Sequence, residues 1–366
     1  MTNLWTMFTN LRLNGLFYNQ VDLKTLAQQK ISDLSVAEWE KAIFQFITDW
    51  LAEVDFVEVN TSGSTGKPKR IRLEKNRMLA SAKATNSFFG LDESKNALLC
   101  LSSDFIAGKM MIVRAFVGGF DLHYLEPKTE VLFKNTSNFY FAAVVPMQLE
   151  AIFKSNQREA LKRFRTLIVG GAALNEAIVK QIAEVSTEIW MTYGMTETIS
   201  HIALRAINGP QKSEQFIAMD GIFLDVDQRN CLRIAAPTLN HQTIQTNDRV
   251  DLINNKEFRF LGRIDFVINS GGIKLSPELL EQKTASFLKF EFAFSSLPDA
   301  ILGEKLILVM EQKAMNTFEF AELKNDLEEN LEKFEQPKEI RFVAALPRTE
   351  NGKIDRMALQ LLIASK

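Results

Sequence analysis

One short stretch of the chain concentrates groups that bind anions. Residues 61–67 read TSGSTGK and combine four hydroxyl side chains, two glycines and a lysine. Glycines let backbone N–H groups approach an anion, hydroxyls donate hydrogen bonds, and the ammonium group adds positive charge. The stretch predicts a phosphate-binding loop, whose members are Thr61, Ser62, Gly63, Ser64, Thr65, Gly66 and Lys67.

The spacing of this loop differs from that of ordinary NTPases. Their pattern needs a glycine where this chain has Thr61, and a Ser or Thr for Mg²⁺ where it has Pro68. We therefore expect a phosphate loop of another kind; a flexible Gly/Ser turn is the alternative. The basic residues that follow, Lys69, Arg70 and Arg72, are typical of a solvated surface.

Strand-like runs alternate with helical patterns around and after this loop, which predicts an α/β sheet. Because ligands gather at the carboxyl ends of strands in such sheets, the loop, "VGGAA" and "TYGMTET" are expected at one edge. The strand-like runs are DFVEVN, ALLCLS, FYFAAVV, RTLIVGG and EIWMTYG.

The pattern changes after about residue 209. Shorter runs with turn residues predict an antiparallel β-rich subdomain at about 210–263. A strand pattern, a charged helix and a polar tail then predict a small α+β domain. We place the boundary at Arg263, which divides the chain into 1–263 and 264–366.

Composition excludes several classes of protein. The 366 residues carry a net charge of −2, so no strong field favours nucleic acid or an anionic membrane. Cys100 and Cys231 stand apart in apolar surroundings, which fits a reduced compartment. Neither a secretory signal nor a membrane-spanning segment is recognisable, so we expect a cytoplasmic protein.

Seven motifs together resemble the ordered signature series of the adenylate-forming acyl-CoA synthetase superfamily, from Thr61 to Arg356. They are TSGSTGKPK, VGGAAL, TYGMTET, TNDRVDL, LGRIDFVINSGGIKLSP, LPDAILGEK and PRTENGKIDR. The sequences TYGMTETISHIAL and SSDFIAGKMMIVRA most resemble those of the 2-succinylbenzoate–CoA ligases of menaquinone biosynthesis. The resemblance implies a large N-terminal adenylation domain and a small mobile C-terminal lid.

It also implies a two-step reaction with ATP, Mg²⁺ and coenzyme A. A carboxylate attacks the α-phosphorus of ATP to give an acyl-adenylate and pyrophosphate, and the thiol of coenzyme A then displaces AMP. The loop of residues 61–67 would hold the β- and γ-phosphates, Thr196 the α-phosphate, and Glu197 the magnesium ion. The implied adenine and acyl contacts are Gly170, Gly171, Ala172, Tyr193, Gly194 and Met195.

Further roles follow from the same resemblance. Asp248 would accept hydrogen bonds from the ribose hydroxyls, although Asn247 replaces the usual glycine before it, and Arg263 would add a second ribose contact. Lys353 would offset the charge between the incoming carboxylate and the α-phosphate. The hinge falls within Ile264–Phe266.

The hinge and coenzyme A set includes Asp265, Phe266, Gly271, Gly272 and Lys274. The family's usual hinge spacing places Phe266 where an Asp is expected, with Asp265 just before it, so the pivot residue stays open.

Succinylbenzoate has a second carboxylate, which must be held by donors in an otherwise apolar pocket. The candidates for this pocket are Phe105, Lys109, Arg114, Ser200, His201 and Arg205. His201 has two interpretations, a substrate ligand or a hydrogen-bonded histidine on a helix after MTET.

Other functions stay open at this point. Another acyl- or aryl-CoA ligase, an enzyme that loads a carrier protein, and a non-catalytic nucleotide-binding relative are the alternatives. The phosphate loop begins early for the superfamily, so we expect that "NLWTMFTNLRLNGLF" or a second subunit covers exposed apolar sheet, and we predict a homo-oligomer.

Overall fold

The computed structural model describes residues 4–60, 70–134, 136–172, 174, 176–240, 242–288, 290–312, 315–349 and 353–364. The predicted phosphate loop, residues 61–67, lies outside these ranges. The strands within them are β1 (Leu11–Leu13), β2 (Leu16–Tyr18), β3 (Phe56–Asn60), β4 (Arg70–Glu74), β5 (Asn96–Leu99), β6 (Asp121–Tyr124), β7 (Phe139–Val144), β8 (Phe164–Val169), β9 (Glu188–Gly194), β10 (His201–Ala206), β11 (Phe216–Ala218), β12 (Phe223–Val226), β13 (Cys231–Ala235), β14 (Ile244–Asn254), β15 (Glu257–Arg263), β16 (Ile268–Ser270), β17 (Ile273–Leu275), β18 (Phe292–Asp299), β19 (Gly303–Glu311) and β20 (Glu339–Val343).

The helices lie between these strands along the chain, and the last helix follows the last strand. They are α1 (Gln20–Ser32), α2 (Glu38–Leu51), α3 (Lys75–Phe89), α4 (Ile106–Gly118), α5 (Val131–Lys134), α6 (Pro146–Lys154), α7 (Glu176–Ile182), α8 (Pro277–Thr284), α9 (Thr317–Asn330) and α10 (Arg356–Ala364). Short 3₁₀ turns cover Leu4–Met7, Arg158–Arg163, Thr196–Thr198 and Ile264–Phe266. Within the described ranges, no helix combines the length and the apolar character that crossing a bilayer requires.

Thirteen of the strands form one sheet, in the order β12-β13-β14-β15-β11-β10-β9-β8-β7-β5-β6-β1-β2. Its middle, from β9 to β1, is parallel. Successive residues of β7 and β8 are buried, so both faces of the sheet are covered there, as parallel sheets require. The predicted α/β class is confirmed.

The antiparallel strands after residue 200 continue the same sheet. β10 pairs with β9, and β14 and β15 form a long hairpin in which Asp248 stands opposite Arg263. The region predicted as a β-rich subdomain is therefore hydrogen-bonded to the parallel strands through β10 and β11, and its apolar residues belong to the same core.

The run DFVEVN forms a strand but does not join the large sheet as predicted. Among the described residues β3 pairs only with β4, in antiparallel register, and the chain passes from one strand to the other through residues 61–69. Glu58 pairs with Arg70 and Arg72 across this hairpin. Alternating residues identify a strand, but its partner depends on the chain that follows.

The N-terminal segment covers one edge of the large sheet. β1 adds to β6 in parallel, and Trp5, Leu11 and Leu13 are buried. The indole of Trp50 donates to the carbonyl oxygen of Phe8 at 3.1 Å. Leu16 and other large apolar side chains near β2 stay exposed, and the homo-oligomer remains a prediction.

A second sheet is formed by β16 to β20, in the order β17-β16-β19-β18 with β20 beside β19. Its two core clusters contain residues from Ile268 onward, whereas the core of the large sheet ends at Phe258. Separate cores support a division of the chain at Arg263, which itself remains a prediction.

Candidate active site

The cleft of the molecule lies at the carboxyl ends of β5, β7, β8 and β9, where it faces residues that follow Arg263. Its volume is about 3150 Å³. Since the turns after parallel strands collect at one edge, segments far apart in sequence meet here. The predicted site residues that line it are Phe105, Arg114, Gly170, Gly171, Ala172, Tyr193, Gly194, Met195, Thr196, Glu197, Ser200, His201, Arg205, Asp248, Arg263, Phe266 and Lys353.

Asp248 is the centre of a hydrogen-bonded group on one wall of the cleft. The hydroxyl of Tyr193 donates to Oδ2 of Asp248 at 2.6 Å, and Nη1 of Arg263 donates to Oδ1 at 2.9 Å. Arg263 also donates from Nη2 to Asp265 at 2.6 Å, and Asn247 donates to the same carboxylate at 2.9 Å. Arg263 thus links the predicted ribose ligand to the predicted hinge.

The ring of Tyr193 sits in an aromatic cluster beside this carboxylate. Its centroid lies 5.0 Å from that of Phe258, 5.9 Å from Phe216 and 6.3 Å from Phe260. Burial, with the negative charge of Asp248 next, raises the pKa of Tyr193 well above its usual value. The phenol therefore stays a hydrogen-bond donor, and its flat ring adjoins space suited to a base.

Lys353 reaches into the cleft from the far end of the chain. A Cβ placed on Gly171, which has a φ of +98°, would lie 4.0 Å from Cε of Lys353. Burial lowers the pKa of Lys353; nearby Arg263 lowers it further and Asp248 opposes this. Among the described residues its ammonium group has no hydrogen-bond or ion-pair partner, so it can serve an anionic ligand.

Thr196 and Glu197 occupy the turn after β9. Thr196 is buried, whereas Glu197 is exposed to the cleft. The Glu197 carboxylate pairs with no described residue, which leaves hard oxygen ligands for a cation. No group of three or more acidic, His or Cys side chains with metal-binding geometry occurs in the described part of the chain. A magnesium ion here would therefore depend on ligand oxygens besides Glu197.

Arg114 lies in the opposite wall, on α4, and is only 2% exposed. Burial lowers the pKa of its guanidinium to about 9. It donates from Nη2 to the hydroxyl of Ser200 at 2.6 Å, while its buried Nε has no hydrogen-bond partner among the described residues. No carboxylate of a described residue pairs with it. An unpaired buried cation beside a cleft can bind an anionic ligand group.

Ser200 is the last member of a chain of hydrogen bonds that passes through Thr85 and His201. The hydroxyl of Thr85 donates to Ser81 O at 3.1 Å, so its oxygen accepts from Nε2 of His201 at 3.2 Å. Nδ1 of His201 then accepts from Ser200, at 3.4 Å. Burial and the charge of Arg114 both lower the pKa of His201 well below its usual value, so the imidazole is neutral.

His201 begins strand β10, so its predicted place on a helix is wrong. His201 lines the cleft, and both of its ring nitrogens are hydrogen-bonded to Thr85 and Ser200, so its role as a substrate ligand remains a prediction. Arg205 lies farther along β10, with its guanidinium 5.4 Å from the ring of Phe216. It therefore stands on the Tyr193 side of the cleft.

Lys109 does not line the cleft, as its predicted substrate role would require. Its ammonium donates to Ser103 O at 2.6 Å and lies 5.0 Å from the ring of Phe46. Lys109 and Arg114 are five residues apart on α4, about 1.4 turns, so their side chains point about 140° apart and only one of them faces the cleft.

The glycines of SGGIK form the turn of the β16–β17 hairpin. Gly271 and Gly272 have φ values of +62° and +86°, the backbone of a two-residue hairpin turn. With Lys274 and Asp265, they stay outside the lining of the cleft, whereas Phe266 belongs to it. Their predicted part in coenzyme A binding remains untested.

Sequence reasoning missed Thr85 and the ion pairs of Glu291, one of which reaches α6. Thr85 lies on a helix 116 residues before His201, and no motif marks it. Glu291 pairs with Lys154 of α6 at 2.8 Å and with Arg348 at 2.9 Å. Only packing brings these segments together.

A parallel sheet whose carboxyl edge carries polar groups suited to a nucleotide, with Lys353 from the segment before α10 reaching the same cleft, has the arrangement expected of an adenylate-forming enzyme. The model of the family of AMP-binding enzymes matches residues 58–219. A solved acyl-CoA synthetase (AMP-forming)/AMP-acid ligase II-like protein from Dyadobacter fermentans is 36% identical, with 93% of this chain and 98% of that chain covered and a TM-score of 0.60. The chain belongs to this family of AMP-forming acyl-CoA synthetases, which confirms the predicted superfamily.

Two more distant proteins also match most of this chain. A 2-succinylbenzoate–CoA ligase from Lactococcus lactis is 24% identical over 324 residues, which cover 83% of this chain and 70% of that protein. The O-succinylbenzoate coenzyme A synthetase of Bacillus subtilis, solved with ATP and a magnesium ion, has a TM-score of 0.74 at 16% identity, with 97% of this chain and 98% of that one covered.

Proposed function

We propose that this protein is an ATP-dependent carboxylate–CoA ligase and that its acid is 2-succinylbenzoate. The carboxylate attacks the α-phosphorus of ATP, so the acyl-adenylate forms and pyrophosphate leaves. The thiol of coenzyme A then attacks the acyl carbon, the thioester forms and AMP leaves. Such a reaction belongs to menaquinone biosynthesis, in the cytoplasm.

The observation that carries the choice of acid is Arg114. Its guanidinium is buried at the cleft, no acidic side chain among the described residues neutralises it, and its Nε has no partner. An acid with a single carboxylate would leave this charge unpaired, because that carboxylate must reach the nucleotide. A dicarboxylate satisfies both ends: one group is activated, and the spare group pairs with Arg114.

The nucleotide is assigned to the opposite wall. Tyr193 and Gly170–Ala172 would border adenine, and Asp248 with Arg263 would bind the ribose hydroxyls. Thr196 would bind the α-phosphate and Glu197 the magnesium ion, which shields the phosphate charge when bound. The loop of residues 61–67 would hold the β- and γ-phosphates.

Lys353 is assigned to the first step. Attack brings a carboxylate toward a charged phosphate, and a cation between them lowers the repulsion and stabilises the charge that develops. Its nearness to Gly171, at the end of β8, supports a position between the two walls.

The test is ATP–pyrophosphate exchange with matched acids. The panel contains 2-succinylbenzoate, 4-oxo-4-phenylbutanoate without the ring carboxylate, 2-butanoylbenzoate without the succinyl carboxylate, and a fatty acid. We expect exchange with 2-succinylbenzoate to exceed that with either single carboxylate by about 100-fold, as expected for hydrogen bonds to a charged group. Equal exchange rates with the fatty acid and with 2-succinylbenzoate would reject 2-succinylbenzoate as the substrate. If no acid supports exchange, a non-catalytic nucleotide-binding protein is favoured.

The acceptor is tested separately. Mass detection of the product after addition of coenzyme A distinguishes a coenzyme A thioester from an adenylate that is released or passed to a carrier protein. The predicted homo-oligomer is tested by light scattering, where a strictly monomeric mass at working concentration would refute it.

A further inference from the structure

The turn that joins β9 to β10, residues 194–201, folds tightly back on itself. A Cβ added to Gly194 would lie 2.4 Å from Ser200 O and 2.6 Å from Cα of His201. Only a glycine permits this contact, because any side chain would overlap the backbone. The two ends of the turn therefore touch.

The hydroxyl of Thr198 joins these ends. Its oxygen accepts from Met195 N at 2.8 Å, and it lies 2.8 Å from Ser200 O and 2.9 Å from Met195 O. A hydroxyl has one proton, so it donates to one of these two carbonyls at a time. Thr198 is fully buried and does not line the cleft.

The next residue has a strained backbone. Ile199 has φ +68° and ψ −51°, and Ser200 N donates to Thr198 O at 2.7 Å across it. This is a γ-turn with positive φ, a rare conformation that is unfavourable for a β-branched residue. It persists only where the surroundings enforce it. The Thr198 hydroxyl bonds and the buried Ile199 side chain supply that enforcement.

Groups for different ligands stand on the two sides of this turn. Thr196 and Glu197 precede Thr198 and face the nucleotide side of the cleft, whereas Ser200 follows it and receives the hydrogen bond from Arg114. A fixed turn therefore sets the distance between the assigned phosphate contact and the assigned carboxylate contact.

We infer that Thr198 is a positioning residue: its hydroxyl holds the strained turn that spaces Thr196 and Glu197 from Ser200. This inference rests on the proposed function for the identity of the two ligands. The inference concerns one hydroxyl group, so a substitution that removes this hydroxyl and keeps the shape of the side chain tests it.

The test compares Thr198→Val with Thr198→Ser in the full chain. Valine keeps the shape and removes the hydroxyl, whereas serine keeps the hydroxyl. A matched control is Thr187→Val, because Thr187 is also buried and donates to Leu161 O at 2.6 Å, but it stands at the opposite end of β9. Melting temperature and pyrophosphate-exchange kinetics are measured for all three.

We expect Thr198→Val to lower kcat/KM about 10- to 100-fold, with changes in both kcat and the KM of the acid, because small displacements of reacting groups are costly. Thr198→Ser should restore at least half of the activity. Thr187→Val should lose comparable thermal stability with an unchanged kcat. If Thr198→Val is folded and keeps wild-type kcat and KM, or if serine does not rescue it, the inference is rejected.

Two different measurements test the proposed function and the role of Thr198. Wild-type exchange across the acid panel reports on the substrate, and the ratio of variant to wild type, measured with whichever acid is active, reports on Thr198. If no acid supports exchange, calorimetry compares the ATP affinities of Thr198→Val and wild type. Equal affinities would then reject the inference.

Discussion

The hydroxyl of Tyr193 and the carboxylate of Asp248 form a 2.6 Å hydrogen bond between two strands of the large sheet. Tyr193 belongs to β9 and Asp248 to β14, which are separated by β10, β11 and β15 in the sheet. Because the phenol's pKa is raised by its burial and by Asp248, it remains protonated and orients the carboxylate.

Tyr193→Phe should raise the KM for ATP about tenfold and leave kcat nearly unchanged. The ring assigned to adenine is kept, and only a hydrogen bond to a charged group is lost, worth ~1.5 kcal/mol. Initial rates of pyrophosphate exchange against ATP concentration measure this. An unchanged KM for ATP would show that Arg263 alone orients Asp248.

Lys353→Ala should lower the rate of adenylate formation by about 100-fold or more, because a preorganised cation is removed from the developing charge. Thioester formation from supplied acyl-adenylate should stay within a factor of about three, since a reaction between a thiol and the acyl carbon does not need this cation. The two half-reactions are measured separately. Equal loss in both would contradict the assignment.

The pH profile of adenylate formation should have an alkaline limb below pH 10.5, the ordinary pKa of a lysine. Burial and the nearby Arg263 lower the pKa of Lys353, and only its protonated form stabilises the anion, so activity falls as pH rises through the lowered value. A profile of kcat/KM for wild type and Lys353→Arg checks this. The limb should move to higher pH in the arginine variant, and an unmoved limb would assign it to another group.

Arg114→Met should reduce the preference for 2-succinylbenzoate over 4-oxo-4-phenylbutanoate by about 30- to 100-fold, the loss of ~2–3 kcal/mol of charged hydrogen bonding. Its melting temperature should not fall, because the native guanidinium is buried without an acidic partner and methionine removes that cost. Exchange kinetics and thermal unfolding measure the two effects. A large drop in stability with unchanged preference would assign Arg114 a structural role.

Glu291→Gln should open the cleft in solution. Glu291, just before β18, joins α6 through Lys154, and an exposed ion pair contributes ~0–1 kcal/mol, so the population should shift by up to about fivefold. Small-angle scattering measures this as a larger radius of gyration. Glu339→Gln, whose partners Lys305 and Arg341 lie in the same sheet, is the control and should leave it unchanged.

Local composition is enough to predict several of the strands. Short runs of apolar residues, most of them with β-branched or aromatic members, predict β5, β7, β8 and β9, because a strand covered on both faces needs no alternation. The family resemblance of the motifs implies one site for Tyr193, Thr196, Glu197, Asp248 and Lys353, and all five line one cleft of the structure.

Pairing between distant segments could not be predicted in this way. The strand pattern of FVEVN identified β3, but hydrogen bonding with β4 removed it from the large sheet. Lys109 and Arg114 are equally plausible cations in sequence, yet their positions on α4 direct one to Ser103 and the other to Ser200.

The sequence by itself determined which groups the chain offers: the hydroxyls and glycines of residues 61–67, the carboxylates of Glu197 and Asp248, and the ammonium group of Lys353. Their roles toward phosphate, metal, ribose and the reacting carboxylate are predictions from the family resemblance. Tertiary structure alone decided which groups act together. Thr85 meets His201, and Thr198 closes a strained turn at Ile199. Such contacts depend on packing in three dimensions, because a hydrogen bond needs its two atoms within about 3 Å and spacing along the chain does not specify that distance.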